Sequence, residues 1–225
     1  MLNGTVASMI DYLGYLLGGL VLSLEIGMSA LFLGFFIGLV IAVMRCFGSA
    51  TISRFAAAYV ELIRNTPSTV QVFIVYFGLP AINVFFSGVV AVIIALSINS
   101  GAYQAEYFRG AIESIGGGQM DAARSTGMSR LQAIRHIILP QALRLALPSW
   151  INEAAIVTKD TSLSFVLGIA DIMRRADYVR SVTYNALAPY LIVAAVYFAI
   201  IFPLTFILGG WIRKQTGIMM GRQRS

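Results

Sequence analysis

Five apolar segments, each long enough to cross a lipid bilayer as a helix, constrain the fold of this chain most strongly. They cover roughly residues 18–44, 58–79, 86–109, 145–168 and 187–211. A helical span needs about 20 apolar residues, and inside lipid the segment must pair its own backbone N–H and C=O groups. The pattern therefore predicts an all-α integral membrane protein with five transmembrane helices, in one domain covering residues 1–225.

Composition excludes an ordinary soluble protein and gives no indication of an enzyme. Hydrophobic residues make up 58% of the chain and charged residues only 12%, where a soluble domain carries about a quarter. The chain has one cysteine, Cys46, and one histidine, His136, and no metal-ligand or nucleophile pattern includes either of them. The net charge of +6 is explained by loops beside a membrane, so the expected partner is the bilayer and not a nucleic acid.

The basic residues predict how the chain is oriented. The sets in the first loop, the long loop and the tail belong to one side, which the positive-inside rule makes cytoplasmic. The N-terminus is then outside and the C-terminus inside. These sets are Arg45 and Arg54; Arg109, Arg124, Arg130, Arg135 and Arg144; and Arg213, Lys214, Arg222 and Arg224. The exceptions, Arg174, Arg175 and Arg180, indicate a folded external cap that Asp171 and Asp177 partly neutralise.

The longest polar stretch between the apolar segments is residues 116–140. It predicts a short helix from Gln119 to Ser125, ended by Gly127 in the left-handed conformation. A second helix should begin at Ser129 with a capping box to Gln132 and stop at Pro140. On shape alone, an ordinary loop between two spans is an equal alternative.

A proline interrupts the second apolar segment. Pro67 should break the helix, and Asn65 and Thr66 can bond the freed backbone groups. Glu61 and Arg64 are three residues apart and can pair on one helical face. Glu61, Arg64 and Pro67 form either a gate or a stabilising feature near the membrane interface, and both readings remain open.

Polar residues inside the third and fourth segments are candidate substrate contacts. Glu153 and Asp160 are two helical turns apart on one face, about 10 Å along the axis, and ionisable residues at this depth are functional candidates. Ser100 and Gln104 are polar at a similar depth. The alternatives are ion pairing for the acids and interhelical hydrogen bonds for Asn99 and Gln104. In the first segment, the small-xxx-small pair Gly34 and Gly38 predicts close helix packing.

The long polar stretch carries a family motif. The motif consists of Ala122-Ala123, then Gly127 after three further residues, then Ile137-x-Leu139-Pro140 after nine more. This pattern resembles the coupling loop of ABC-importer permeases, with Asp121 where the family usually has Glu. The resemblance implies a cytoplasmic coupling element, about residues 116–140, that sits in a cleft of an ATP-binding subunit. Asp121, Ala122, Ala123 and Gly127 would be its coupling residues.

Further blocks at 59–80, 99–123 and 139–163 resemble the polar-amino-acid branch of these permeases, which includes His, Glu, Gln, Arg and opine types. The resemblance implies the type I ABC-importer permease fold in a prokaryotic cell (inner) membrane. It also implies a second permease subunit, ATP-binding subunits and an extracytoplasmic amino-acid-binding protein. The sequence has no G-x-x-x-x-G-K-[ST] loop, so ATP is expected on the partner, with no cofactor bound by this chain.

The sequence thus predicts a permease subunit that imports a polar, basic L-amino acid by alternating access, with Asp160 and Glu153 meeting the cationic groups of the ligand. One alternative is the same kind of permease for a neutral amino acid such as glutamine. The other is an ion-coupled secondary carrier with the two acids as its ion site. The absence of a visible internal repeat and the coupling loop both argue against a secondary carrier.

Overall fold

The computed structural model describes residues 2–185, 187–212 and 214, with side chains from residue 12 onward. Most of the described residues are helical and none lies in a strand, which confirms the all-α prediction. The α-helices are α1 (Leu2–Phe47), α2 (Ala50–Arg64), α3 (Ser68–Phe73), α4 (Gly88–Ile115), α5 (Gly117–Ser125), α6 (Arg130–Ala133), α7 (Leu139–Asp160), α8 (Ile172–Thr183) and α9 (Ala188–Phe202). Tighter or wider helical turns cover Ile74–Gly78, Leu79–Ile82, Ile134–Ile138, Thr161–Leu167 and Pro203–Leu208.

Three helical stretches among the described residues are long and apolar enough to cross a membrane. They are Tyr12–Phe47, Gly88–Ile115 and Ala188–Ile212, and a shorter apolar helix covers Ser68–Ile82. The predicted first, third and fifth spans are therefore present. The count of five spans remains a prediction. The basic tail residues Arg213, Arg222 and Arg224 lie outside the described residues.

The chain falls into two compact units, and each has its own core. Unit 1 contains the chain up to Phe32, Pro67–Ser97 and Ala154–Leu204, and unit 2 contains Leu33–Thr66, Ile98–Glu153 and the chain from Thr205. The main core of unit 1 includes Ile26, Val72, Val92, Leu96 and Val157. The core of unit 2 includes Ala42, Phe108, Ile138, Ala142 and Ala146.

Glycines let α1 approach α4 closely within unit 2. A Cβ on Gly38 would lie 2.7 Å from Gln104 Cβ and 2.9 Å from the Gly101 carbonyl oxygen. A Cβ on Gly34 would lie 3.2 Å from the Gly101 nitrogen. Because no real Cβ tolerates contacts under 3 Å, the close packing predicted from the small-xxx-small pair is confirmed.

The predicted helix end at Pro140 is wrong. A π-helical segment, Ile134–Ile138, connects α6 directly to α7, and Pro140 is the second residue of α7. Proline normally clashes with the carbonyl four residues earlier and leaves it without a donor. The π-helical segment changes the hydrogen-bond register, since Leu139 N–H bonds Ile134 O, and such insertions accommodate a helix disruption. The Gln141 side chain also donates to Ile137 O at 2.8 Å.

The predicted cap forms helix α8 of unit 1. Asp171 is its N-cap and accepts a hydrogen bond from Arg174 N–H at 2.7 Å. Asp177 pairs with both Arg174 (3.4 Å) and Arg180 (2.8 Å), and the Arg180 guanidinium holds the pKa of the Asp177 carboxyl below its ordinary value.

The prediction that Asp171 neutralises arginines is wrong, because its carboxylate is buried and caps the helix instead. Burial raises the pKa of Asp171, against the opposing effect of its hydrogen bonds. Arg175 is stabilised by backbone instead: its guanidinium donates to Tyr15 O at 2.7 Å and to Ala170 O at 3.2 Å. The side of the membrane on which α8 lies remains a prediction.

Candidate functional site

The predicted coupling loop, residues 116–140, starts with helix α5. The helix begins at Gly117, two residues earlier than predicted, after Gly116 at φ 74°. It closes with hydrogen bonds from Thr126 N–H to Ala122 O and from Gly127 N–H to Arg124 O. Gly127 has φ 87°, so the predicted left-handed glycine is confirmed.

The second helix of the loop, α6, has the predicted capping box. Ser129 Oγ accepts from Gln132 N–H at 3.3 Å, and Gln132 Oε1 accepts from Ser129 N–H at 2.8 Å. Both bonds satisfy N–H groups that a helix start leaves unpaired. Leu131, the second residue of α6, is 73% exposed.

The predicted coupling residues divide into an exposed set and a buried one. Asp121 and Ala122 are exposed on α5, whereas Ala123 is buried. Gly127 separates the two short helices, and a Cβ there would meet open space. The exposed surface of the loop therefore carries an acid and small residues, whereas the Ala123 side chain is turned toward the interior.

At the break before Pro67, the side chains of Asn65 and Thr66 bond backbone as predicted. Asn65 Nδ2 donates to Glu61 O at 2.8 Å and Thr66 Oγ1 donates to Leu62 O at 2.8 Å.

The predicted Glu61–Arg64 ion pair is wrong. The Arg64 guanidinium lies over the Tyr103 ring, 5.0 Å from its centroid, and Glu61 Oε2 accepts from Asn65 Nδ2 at 3.3 Å. Assignment of Glu61, Arg64 and Pro67 to a gate remains a prediction.

Five side chains of unit 2, three buried and two half-buried, form two hydrogen-bonded groups that together we call the buried polar cluster. Three of them are predicted substrate contacts. The cluster comprises Ser100, Gln104, Tyr107, Trp150 and Glu153. Gln104 Nε2 donates to Ser100 Oγ at 2.9 Å, and Trp150 Nε1 donates to Gln104 Oε1 at 2.9 Å. Glu153 is 1% exposed and accepts from Tyr107 O–H at 3.2 Å. Ser100, Gln104 and Glu153 thus bond their own chain, and their contact with substrate remains a prediction.

Sequence reasoning missed the two aromatic partners of this cluster. Tyr107 and Trp150 each lie 46 residues from the group they bond, so no local spacing indicates the contact. The available signal is chemical, because a Tyr or Trp that loses water on folding needs a partner for its O–H or N–H.

Asp160, the remaining predicted contact, is the last residue of α7 in unit 1. The tighter turns Thr161–Leu167 follow it and end at Gly168 with φ 75°. The Asp160 carboxylate is half-buried, and it forms no hydrogen bond or ion pair with any residue that the structure describes. Its neighbour Thr161 does have a partner, since its hydroxyl donates to Thr158 O at 2.8 Å. Asp160 is therefore a partly desolvated carboxylate that can receive a cation.

Comparison with known proteins agrees with this geometry. Residues 30–216 match the family described as the inner membrane component of binding-protein-dependent transport systems. The chain is 40% identical to the glutamine transport system permease protein GlnP of Escherichia coli (strain K12) over 195 residues, covering 86% of this chain and 89% of that protein. It is 33% identical to the arginine transport system permease protein ArtQ of Bacillus subtilis (strain 168) over 207 residues, covering 92% and 94%.

The fold matches a solved structure as well. A crystal structure of an amino acid ABC transporter with histidines aligns with a TM-score of 0.83 at 37% identity, covering 92% of this chain and 97% of that one. This match confirms the predicted permease fold. The chain therefore belongs to the family of inner-membrane components of binding-protein-dependent transport systems, as a multi-pass permease subunit and not as an enzyme.

Proposed function

We propose that this chain forms the translocation pathway of an ATP-driven importer of polar L-amino acids and works by alternating access. The observation that carries the proposal is the coupling loop: two short helices hinged at Gly127 in a chain that lacks a phosphate-binding loop of its own. Relatives named for glutamine and arginine transport support amino acids as the cargo.

The partners follow from this role. ATP-binding subunits dock on residues 116–140 and bind the ATP, so this chain carries no cofactor. A second permease subunit, identical or not, completes the pathway, and an extracytoplasmic binding protein delivers the amino acid. The exposed Asp121, Ala122 and Leu131 are the surface that the ATP-binding subunit contacts.

Reconstitution with its ATP-binding subunit and binding protein tests the coupling. A β-branched residue is strained at positive φ, so Gly127→Val should distort the loop and lower uptake while ATP hydrolysis continues. Gly118→Val is the matched control, since Gly118 lies within α5 and a Cβ there meets open space. Full uptake by Gly127→Val, or uptake by the chain without any ATP-binding subunit, would refute the proposal.

The proposed orientation has the N-terminus outside and the coupling loop in the cytoplasm of a prokaryotic cell. The pairing of Arg174 and Arg180 with Asp177 supports it, because it reduces the charge of the basic residues that break the positive-inside rule. In a Cys46→Ser background, cysteines at Ser129 and Ser181 should react with an impermeant maleimide from opposite sides. Reaction of both from one side would contradict this topology.

For the substrate, we propose an L-amino acid with a cationic side chain, such as arginine, lysine, ornithine or histidine. The support is Asp160, since a partly buried carboxylate is costly without a counter-charge and a cationic ligand supplies one. Glu153 is proposed as the second acidic contact, with Ser100 and Gln104 as neutral ones.

A neutral amino acid such as glutamine is the second candidate. Two observations favour it: the 40% identity to a glutamine permease, and the Tyr107 hydrogen bond, which gives Glu153 a partner within its own chain. Competition of labelled arginine with unlabelled glutamine in the reconstituted importer separates the candidates. Glutamine competing better than arginine would overturn the cationic assignment.

A further inference from the structure

An open pocket of about 480 Å³ in unit 2 borders the proposed coupling loop, and no step of the proposed transport mechanism uses its interior. Its walls come from the last turns of α1 and α4 and from the start of the coupling loop. The apolar part includes Phe47, Ile112 and Met120, and the basic part consists of Arg45 and Arg130. The wall at the start of α5 is glycine backbone, so it leaves room for a ligand.

The acidic side chains in and beside this pocket are already paired. Arg45 forms an ion pair with Glu106, which also pairs with Arg109 at 2.9 Å. Arg109 in turn binds both carboxylate oxygens of Glu113 at 2.7 Å. These contacts neutralise Arg45 and Glu113, which both line the pocket.

Arg130 is the cation of the pocket that has no acidic partner among the described residues. Its guanidinium lies 5.9 Å from the centre of the Phe47 ring, and this aromatic contact leaves the N–H donors at its edge available. A guanidinium with available donors matches the oxygen geometry of a phosphate group.

The position of the pocket indicates the source of that phosphate. Two membrane-spanning stretches, Tyr12–Phe47 and Gly88–Ile115, both end at its walls. The ends of such spans lie at the level of the lipid headgroups, where basic pockets between helices bind anionic headgroups. The apolar side of the pocket suits the glycerol and upper acyl chain of a lipid.

We propose that this pocket binds the phosphate group of an anionic phospholipid, with Arg130 as the principal contact. A bound lipid would touch both the ends of two spans and the first residues of the coupling loop. The composition of the membrane would then influence the loop on which the ATP-binding subunit docks.

Cys46, the only cysteine of the chain and a residue of the pocket wall, provides the test. The full-length protein is placed in nanodiscs of phosphatidylcholine with increasing phosphatidylglycerol, and the rate of maleimide reaction at Cys46 is measured. Phosphatidylglycerol should slow the reaction. Arg130→Gln should raise the lipid fraction needed for half-protection about tenfold, the effect of one charge-assisted hydrogen bond, and Arg130→Lys should lie between.

Arg135→Gln is the matched control, because it removes the same charge from the same loop at an exposed residue that does not line the pocket. In this variant, phosphatidylglycerol should protect Cys46 from the maleimide as it does in the wild type. Equal protection in the wild type and Arg130→Gln, or an equal loss in Arg135→Gln, would overturn the proposal. Inorganic phosphate and glycerol phosphate are tested in phosphatidylcholine nanodiscs. Protection by these ions, without protection by phosphatidylglycerol, would assign the pocket to a soluble phosphate and refute the lipid.

Discussion

The buried polar cluster of unit 2 and the Asp160 segment of unit 1 differ in how their polar side chains are bonded. In the cluster, Gln104 bonds both Ser100 and Trp150, and Glu153 accepts from Tyr107. In the Asp160 segment, Thr161 bonds its own helix, while the Asp160 carboxylate has no bonding partner among the described residues. The two regions have one sequence feature in common, polar side chains inside an apolar segment.

The difference separates two ways of keeping polar groups in a membrane protein. A hydrogen bond within the chain offsets the free-energy cost of removing a polar group from water, and the bonded group then contributes to packing. An unbonded, partly buried carboxylate costs free energy that a cationic ligand can offset. Asp160 is therefore a stronger candidate for substrate contact than any member of the buried polar cluster, and mutagenesis can test this ranking.

The largest effect is expected from Asp160→Asn, which removes the charge at nearly constant size. Loss of one partner from a desolvated charge pair costs about 2–5 kcal/mol, which corresponds to about 30-fold or more in affinity. Uptake of arginine by the reconstituted importer should fall by at least this factor. Asp177→Asn, which removes a carboxylate from α8, is the control and should transport normally. Normal uptake by Asp160→Asn would break the comparison.

Substitution of Glu153 tests whether a carboxylate that is hydrogen-bonded within the chain can also contact the substrate. Because Glu153→Gln removes a charge, we expect it to lower arginine uptake about tenfold more than glutamine uptake, the cost of one hydrogen bond to a charged group. Tyr107→Phe keeps the carboxylate and should lower only the free energy of unfolding, by about 1.5–3 kcal/mol. Equal losses for both amino acids in Glu153→Gln would assign Glu153 to packing, as for its cluster neighbours.

A smaller effect is expected where the cluster packs against α1. In Gly38→Ala the new methyl group would lie 2.7 Å from Gln104 Cβ, and overpacking of this kind costs about 1–3 kcal/mol. The melting temperature of the purified protein should fall. Gly110→Ala is the control, because a Cβ there meets nothing within 4 Å. An unchanged melting temperature in Gly38→Ala would show that the cluster tolerates displacement.

Features set by neighbours in sequence were predictable. Two such features join residues three or four positions apart, and the types of these residues indicate the bonds. They are the capping box of Ser129 and Gln132 and the bonds from the Asn65 and Thr66 side chains to backbone. The helix through Pro140 was not predictable, because the π-helical segment before it is a change of register that no single residue specifies.

Contacts between residues far apart in the chain could not be predicted from the sequence either. Arg64 has an acid three residues away, yet it stacks on Tyr103 of another helix. The sequence offered both partners, and only the packing of α2 beside α4 decides between them. The place of Asp160 in an apolar segment is visible in the sequence, whereas the lack of a partner for its carboxylate among the described residues depends on the three-dimensional surroundings.

The glycines at the two ends of α5 have a mechanical consequence. Gly116 and Gly127 both adopt positive φ, and a Cβ on either would meet nothing within 4 Å. Changes in the backbone dihedrals of these two residues can reorient the nine-residue helix α5 between them as one rigid body, without breaking a hydrogen bond inside the helix. The surface that we propose for the ATP-binding subunit can then change its orientation with a moving partner, without local unfolding of α5.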